Sequence, residues 1–153
     1  MKRISLALIT IVLLVAFQSK TTTDNVKWLT DLEKAKKIAK KEHKPILLYF
    51  TGSDWCAPCK GLEDNVFTTK RFEYYADNYV LVKVDIPRAT DIISEKQLKY
   101  NKKLLKIYNK DEHFYYLLVL NHRGQKLGKM KGYYMKYDYY FSFLDKMLTT
   151  YNK

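Results

Sequence analysis

Trp55-Cys56-Ala57-Pro58-Cys59-Lys60 contains both cysteines of the 153-residue chain, spaced as Cys-Xaa-Xaa-Cys. On a helix that begins near Cys56, this spacing puts the two sulfurs one turn apart on one face, within disulfide reach without backbone movement. Pro58 suits the first helical turn, where the amide it lacks has no partner and its fixed φ is already helical. Unpaired amides and the positive end of the helix dipole would then surround Cys56 and favour its thiolate. Lys60 adds positive charge one turn on, and Asp54 pulls the other way.

Upstream, Lys44-Pro45-Ile46-Leu47-Leu48-Tyr49-Phe50-Thr51 reads as a short apolar strand, and Gly52-Ser53-Asp54 turns the chain so that Cys56 emerges beyond its carboxyl end. Ligand and catalytic sites of α/β sheets lie at that end. Strand, loop, Trp-Cys-Xaa-Pro-Cys-Lys and helix together resemble the active site of the thioredoxin superfamily. Pro45-Ile-Leu-Leu followed by Phe-Thr-Gly-Ser-Asp-Trp-Cys resembles in particular the small exported thioredoxin-like proteins of bacteria. The resemblance is specific over residues 44 to 67 and looser to about residue 148.

Two other uses of the cysteine pair fit the sequence less well. A zinc site needs two more ligands, and His43, His113 and His122 fit no familiar zinc spacing, so no metal is expected. A purely structural disulfide closing so short a loop restrains the unfolded chain little and gains little stability.

The length is that of one domain with a proper core. Met1-Lys2-Arg3 followed by the apolar run Ile4 to Phe17 has the charged start and short greasy core of a secretory signal peptide. Residues 1–19 are therefore read as a signal peptide, or as an amino-terminal anchor through residues 4–17, since Val15-Ala16-Phe17-Gln18-Ser19 lacks a clean cleavage pattern. Residues 20–153 are read as the thioredoxin-like domain, exported to a bacterial periplasm or cell envelope. In an oxidising compartment, a chain whose only cysteines form this motif is better suited to exchanging disulfides than to being stapled by them. The net charge of +12 falls to +10 without Lys2 and Arg3. The lysines are scattered along helices and no recognisable motif accompanies them, so nucleic acid is not an expected partner.

Along the mature chain, Thr21 to Asn25 reads as a polar tether. Trp28, Leu29, Leu32, Ala35, Ile38 and Ala39 share a helical face behind a capping box Thr30-Asp31-Leu32-Glu33. The active-site helix should run to about Val66, followed by a short helix over residues 71–76 and a strand over 79–85. After the Pro87 loop, Ser94-Glu95-Lys96-Gln97 caps a helix with Leu98, Leu105 and Tyr108 on one side. Residues 114–120 and 125–131 form strands around the turn Asn121-His122-Arg123-Gly124, and the stripe Tyr137, Tyr140, Phe141, Leu144, Leu148 and Tyr151 marks a final helix. The fold class is α/β, a mixed four- or five-stranded sheet sandwiched by helices. Of the tyrosines at residues 133–140, Tyr133, Tyr134 and Tyr139 are expected to be exposed.

Two positions depart from the family pattern. Aligned through Leu120-Asn121-His122-Arg123-Gly124, Tyr115 stands where thioredoxins place a cis-proline facing the cysteines, so a trans peptide and a reshaped groove are expected. Tyr49 stands where the family often buries an aspartate beneath the second cysteine, leaving no carboxylate at that place to take the Cys59 proton.

The resemblance implies an exported thiol-disulfide oxidoreductase in which Cys56 attacks and Cys59 resolves. Trp55 would flank the sulfurs, while Ala57 and Pro58 fill the motif and Pro58 tunes the potential. It also implies a monomer without cofactor that meets protein thiols and disulfides, with a membrane electron donor if it works as a reductant. The alternative is a non-catalytic thioredoxin-like binding module or redox switch. With the reduced protein near neutral pH, iodoacetamide should modify Cys56 first, and preferential labelling of Cys59 would reverse these assignments.

Overall fold

A computed structural model describes residues 26–153. The expected signal or anchor and the tether to Asn25 lie outside the described residues. Four strands order as β2-β1-β3-β4: β1 (Ile46–Thr51), β2 (Val80–Asp85), β3 (Tyr116–Leu120) and β4 (Lys126–Met130). β1 pairs parallel with β2 and antiparallel with β3, and β3 pairs antiparallel with β4. The helices are α1 (Leu32–Glu42), α2 (Ala57–Leu62), α3 (Lys70–Asn78), α4 (Glu95–Tyr108) and α5 (Asp138–Tyr151), and α2 continues through a π-helical turn, Glu63–Phe67. The sheet is thus mixed and four-stranded. Among the described residues no helix is long and apolar enough to cross a membrane.

All six residues of β1 are buried, as a central strand covered on both faces requires. Its even-numbered side chains, Ile46, Leu48 and Phe50, join Leu32, Ala35 and Ala39 of α1 and Leu104 and Leu105 of α4. Its odd-numbered Leu47 and Tyr49 face Leu62, Val66, Phe72 and the buried stripe of α5, in the layer that also holds both cysteines. The alternation of side chains along one strand therefore decides which helices lie on the dithiol side.

The sequence reading of α1 needs correction at its start. Asp31, not Thr30, is the cap, its carboxylate accepting from the amides of Glu33 (2.8 Å) and Lys34 (3.0 Å). Trp28 and Leu29 lie before the helix. Leu29 forms a parallel bridge to Val82, its amide donating to Leu81 O and its carbonyl accepting from Lys83 N, both at 2.9 Å. Trp28 is thereby delivered to the dithiol layer, where its ring meets Phe67 at 5.0 Å and Tyr49 at 5.8 Å.

The carboxyl-terminal stripe is buried at Tyr140, Phe141 and Leu144 and partly buried at Tyr137, Leu148 and Tyr151, with Met147 added to the core. Tyr133, Tyr134 and Tyr139 are exposed as expected. α5 is tied down by the Tyr79 hydroxyl, which donates to Leu144 O at 2.7 Å.

Phe72 is fully buried between Phe67 (4.7 Å) and the stacked Trp28 (6.2 Å). Phe72→Ala should destabilise the protein by about 3–5 kcal/mol, since neighbouring rings relax only partly into the cavity. Urea denaturation of wild type and variant measures it, and a loss below about 1 kcal/mol would mean that the ring is not a core element.

Candidate active site

The parallel strand β1 ends at Thr51, and Gly52 begins the loop that carries the motif. Gly52 O accepts from Cys56 N (2.8 Å) and Trp55 N (3.1 Å), a tight turn that folds the indole back over the glycine. A Cβ on Gly52 would stand 2.3 Å from the indole, so the close approach demands glycine here. Trp55 is then fixed on three sides. Its Nε1 donates to Ile86 O (2.8 Å), its ring meets the Phe114 ring at 4.5 Å and 71°, and the Arg88 guanidinium lies 4.7 Å above it.

Cys56 caps α2, with Ala57 and Pro58 in the first turn, and is joined to Cys59 in a disulfide across 5.2 Å between Cα atoms. The Cys59 amide donates to Cys56 Sγ at 3.3 Å, so one amide of the first helical turn is directed at the first sulfur. Both sulfur-bearing residues are largely covered. Cys56 retains 7 % exposure and Cys59 1 %, so the first cysteine, whose place at the helix start suggests an exposed thiol, is instead buried and offers only a narrow window. Ser53, Asp54, Trp55, Cys56, Ala57 and Lys60 line a shallow depression of about 230 Å³ there.

Asp54 is occupied elsewhere than at the sulfurs. Its carboxylate accepts from the amides of Ala89 (2.9 Å) and Arg88 (3.0 Å), clamping the motif loop to the loop after β2. Those amides, Ala89 foremost, hold its carboxyl below the usual carboxylate range.

Tyr49 is fully buried and its hydroxyl donates to Cys59 O at 3.2 Å, which puts it beneath the second cysteine's backbone. Burial pushes this hydroxyl well above the usual tyrosine range, so it remains a neutral donor. One carboxylate nevertheless approaches the place, a residue the sequence reading missed. Glu63, one helical turn beyond Cys59, accepts from the Thr51 hydroxyl (3.5 Å) and pairs with Lys83 (3.2 Å), and after burial its negative charge, with that of Asp85, helps raise the Tyr49 hydroxyl. Its signal was its i,i+4 spacing from Cys59.

Tyr115 is half-buried against the dithiol layer. No cis peptide occurs among the described residues, and the chain reaches β3 with φ of 51° at both Glu112 and Tyr115. A left-handed tyrosine carries about 1–2 kcal/mol of strain. The Asn109 side chain helps hold this loop, accepting from His113 N at 3.0 Å and donating to His113 O. His113 and His43 are exposed, and His43 caps α1 at φ 53°.

A parallel–antiparallel four-stranded sheet with a Cys-Xaa-Pro-Cys disulfide opening the helix after its central strand defines a thioredoxin-type fold and site. The chain belongs to the thioredoxin-like family, whose sequence profile matches residues 27–119. It is 33% identical over 107 residues to the disulfide bond reductase DsbH of Chlamydia pneumoniae, covering 69% of this chain and 63% of that one. It is 37% identical over 59 residues to the thiol:disulfide interchange protein DsbD of Campylobacter jejuni, covering 39% of this chain and 10% of that one. The matches thus span less than two thirds of these relatives. A solved DsbH oxidoreductase superposes with a TM-score of 0.72 at 31% identity, over 82% of this chain and 85% of that chain.

The Asp54 clamp has a signed pH dependence. Because its folded pKa is depressed, its contribution is present above the unfolded value of about 3.9 and is lost as pH falls through the lower folded value. Asp54→Ala should speed hydrogen exchange of the Arg88 and Ala89 amides at neutral pH. Unchanged protection of both amides in the variant would show that the clamp does not hold the loop in solution.

Proposed function

We propose that this chain is an exported thiol-disulfide oxidoreductase that exchanges protein disulfides through Cys56 and Cys59. The observation that carries the reading is the Cys56–Cys59 disulfide at the start of α2, with the Cys59 amide directed at Cys56 Sγ. In the reduced protein the same amide and the helix end favour the Cys56 thiolate. That thiolate attacks one sulfur of a substrate disulfide, and the other leaves as a thiolate. Cys59 then loses its proton and attacks Cys56 Sγ, expelling the second substrate thiolate and closing the disulfide of the structure. Two electrons pass to the substrate, and both its sulfurs leave as thiols once protonated.

We assign the Cys59 proton to the Glu63 carboxylate, one turn beyond Cys59, since the Tyr49 hydroxyl stays a neutral donor. Trp55 lines the depression beside Cys56, the Phe114 ring packs against the indole, and Lys60 lies exposed at the rim. The reducing direction is favoured by the similarity to a protein named a disulfide bond reductase. Export rests on the pattern of residues 1–17, and protein disulfides as substrates and a monomeric state complete the proposal.

Two measurements test it. The Cys56–Cys59 couple, equilibrated with glutathione, should have a potential nearer thioredoxin's about −270 mV than DsbA's about −120 mV, and a value near the latter would reverse the direction. Cys59→Ser should accumulate mixed disulfides with oxidised substrates and Cys56→Ser none, while wild type reduces insulin over many turnovers. One exchange per molecule followed by arrest, with a reductant present, would favour the redox switch instead.

A further inference from the structure

From Trp55 an open trench of about 710 Å³ runs between the loop after β2, α4 and Phe114. Its floor is apolar, formed by Ile86, Leu98, Leu105 and Phe114. Its charges are unbalanced: Arg88, Lys102 and Lys106 stand against Glu112 in the lining and Asp54 beside Arg88, which leaves the two lysines of α4 unmatched. Among the described residues no carboxylate lies within ion-pair distance of those three cations. Lys99 and Lys103 continue the positive surface along α4.

An excess of cations beside low-dielectric walls raises a positive potential in the trench, and the trench begins at the tryptophan next to Cys56. A simple polyanion would match the cations and leave the apolar floor wet. A purely apolar segment would cover the floor and leave the cations unmatched. A polypeptide that alternates acidic and apolar residues satisfies both, because successive side chains of an extended strand point to opposite sides. We infer that the trench holds the stretch flanking a substrate's disulfide and selects stretches in which acidic residues alternate with apolar ones. This rests on the oxidoreductase reading and names the substrate class for the same site. The selectivity belongs to encounter and docking, before the first exchange, so it appears in the second-order rate and weakens with salt.

The test uses the full chain, reduced, and disulfide-linked peptide dimers whose cysteine is flanked by Leu-Glu, Leu-Gln or Leu-Lys pairs. The second-order rate of protein oxidation should fall in the order Glu, Gln, Lys, with about tenfold between the extremes at low ionic strength and less with added salt. A Ser-Glu peptide should react more slowly than Leu-Glu. Lys102→Glu combined with Lys106→Glu should invert the order. Lys37→Glu with Lys40→Glu, the same charge change on exposed positions of α1, should preserve it. Equal rates for the three peptides, equal rates for Ser-Glu and Leu-Glu, or inversion by the α1 variant as well would overturn the inference. Bis(2-hydroxyethyl) disulfide separates the two levels of failure. If it oxidises the protein while the peptides do not differ, only the trench assignment falls; if neither it nor any peptide reacts, the oxidoreductase reading falls and takes this inference with it.

Discussion

The indole of Trp55 lying on the bare backbone of Gly52 is the contact on which the site depends. It lets one turn carry the chain from the buried end of β1 into α2, and it turns the indole Nε1 toward Ile86 O. The loop after β2, the motif and the loop before β3 therefore meet around a single ring, since Arg88 and Phe114 contact the same indole. The Asp54 clamp secures the same junction from the other side of the motif. Four polar and aromatic contacts across long sequence separations thus hold a loop that has no sheet pairing of its own.

What could be read in the chain beforehand divides along physical lines. Local signals held. The buried run of β1, the Pro58 helix start, the Ser94 cap and the hairpin turn each depend on neighbours within a few residues. Trp28 and Leu29 were misplaced because their spacing satisfies a helical period, while the parallel bridge that claims them is made with β2 some fifty positions away. Thr30 and Asp31 are both good caps, and the bridge at Leu29 delays the helix start by one residue, handing the cap to Asp31. The contacts of Arg88 and Phe114 with Trp55 leave no periodic trace, so only the fold reveals them.

The electrostatics at Cys56 follow from that arrangement. A carboxylate two residues from the proposed nucleophile would oppose its ionisation, and Asp54 turns its carboxylate to the amides of Arg88 and Ala89. The donor directed at Cys56 Sγ comes from the helix itself. An amide fixed in a covered site acts more strongly than one in water and needs no rearrangement when the thiolate forms. The covering that narrows access to Cys56 would therefore also strengthen the effect of that amide on a thiolate there.

Tyr49 departs from the family pattern for a physical reason. Its ring belongs to an aromatic cluster with Trp28 and Phe67, and a carboxylate at that position would have to be desolvated among those rings. Unpaired, such a charge is penalised heavily enough that the group would hold its proton instead. Placing the acid on the helix avoids that conflict. Glu63 remains half-buried, meets Lys83 and Thr51, and sits where α2 widens into its π-helical turn, so the core keeps its aromatic packing while a carboxylate stays one turn from Cys59. The aromatic cluster that Trp28 joins thus excludes a charge from position 49, and the proton acceptor we propose lies on the helix instead.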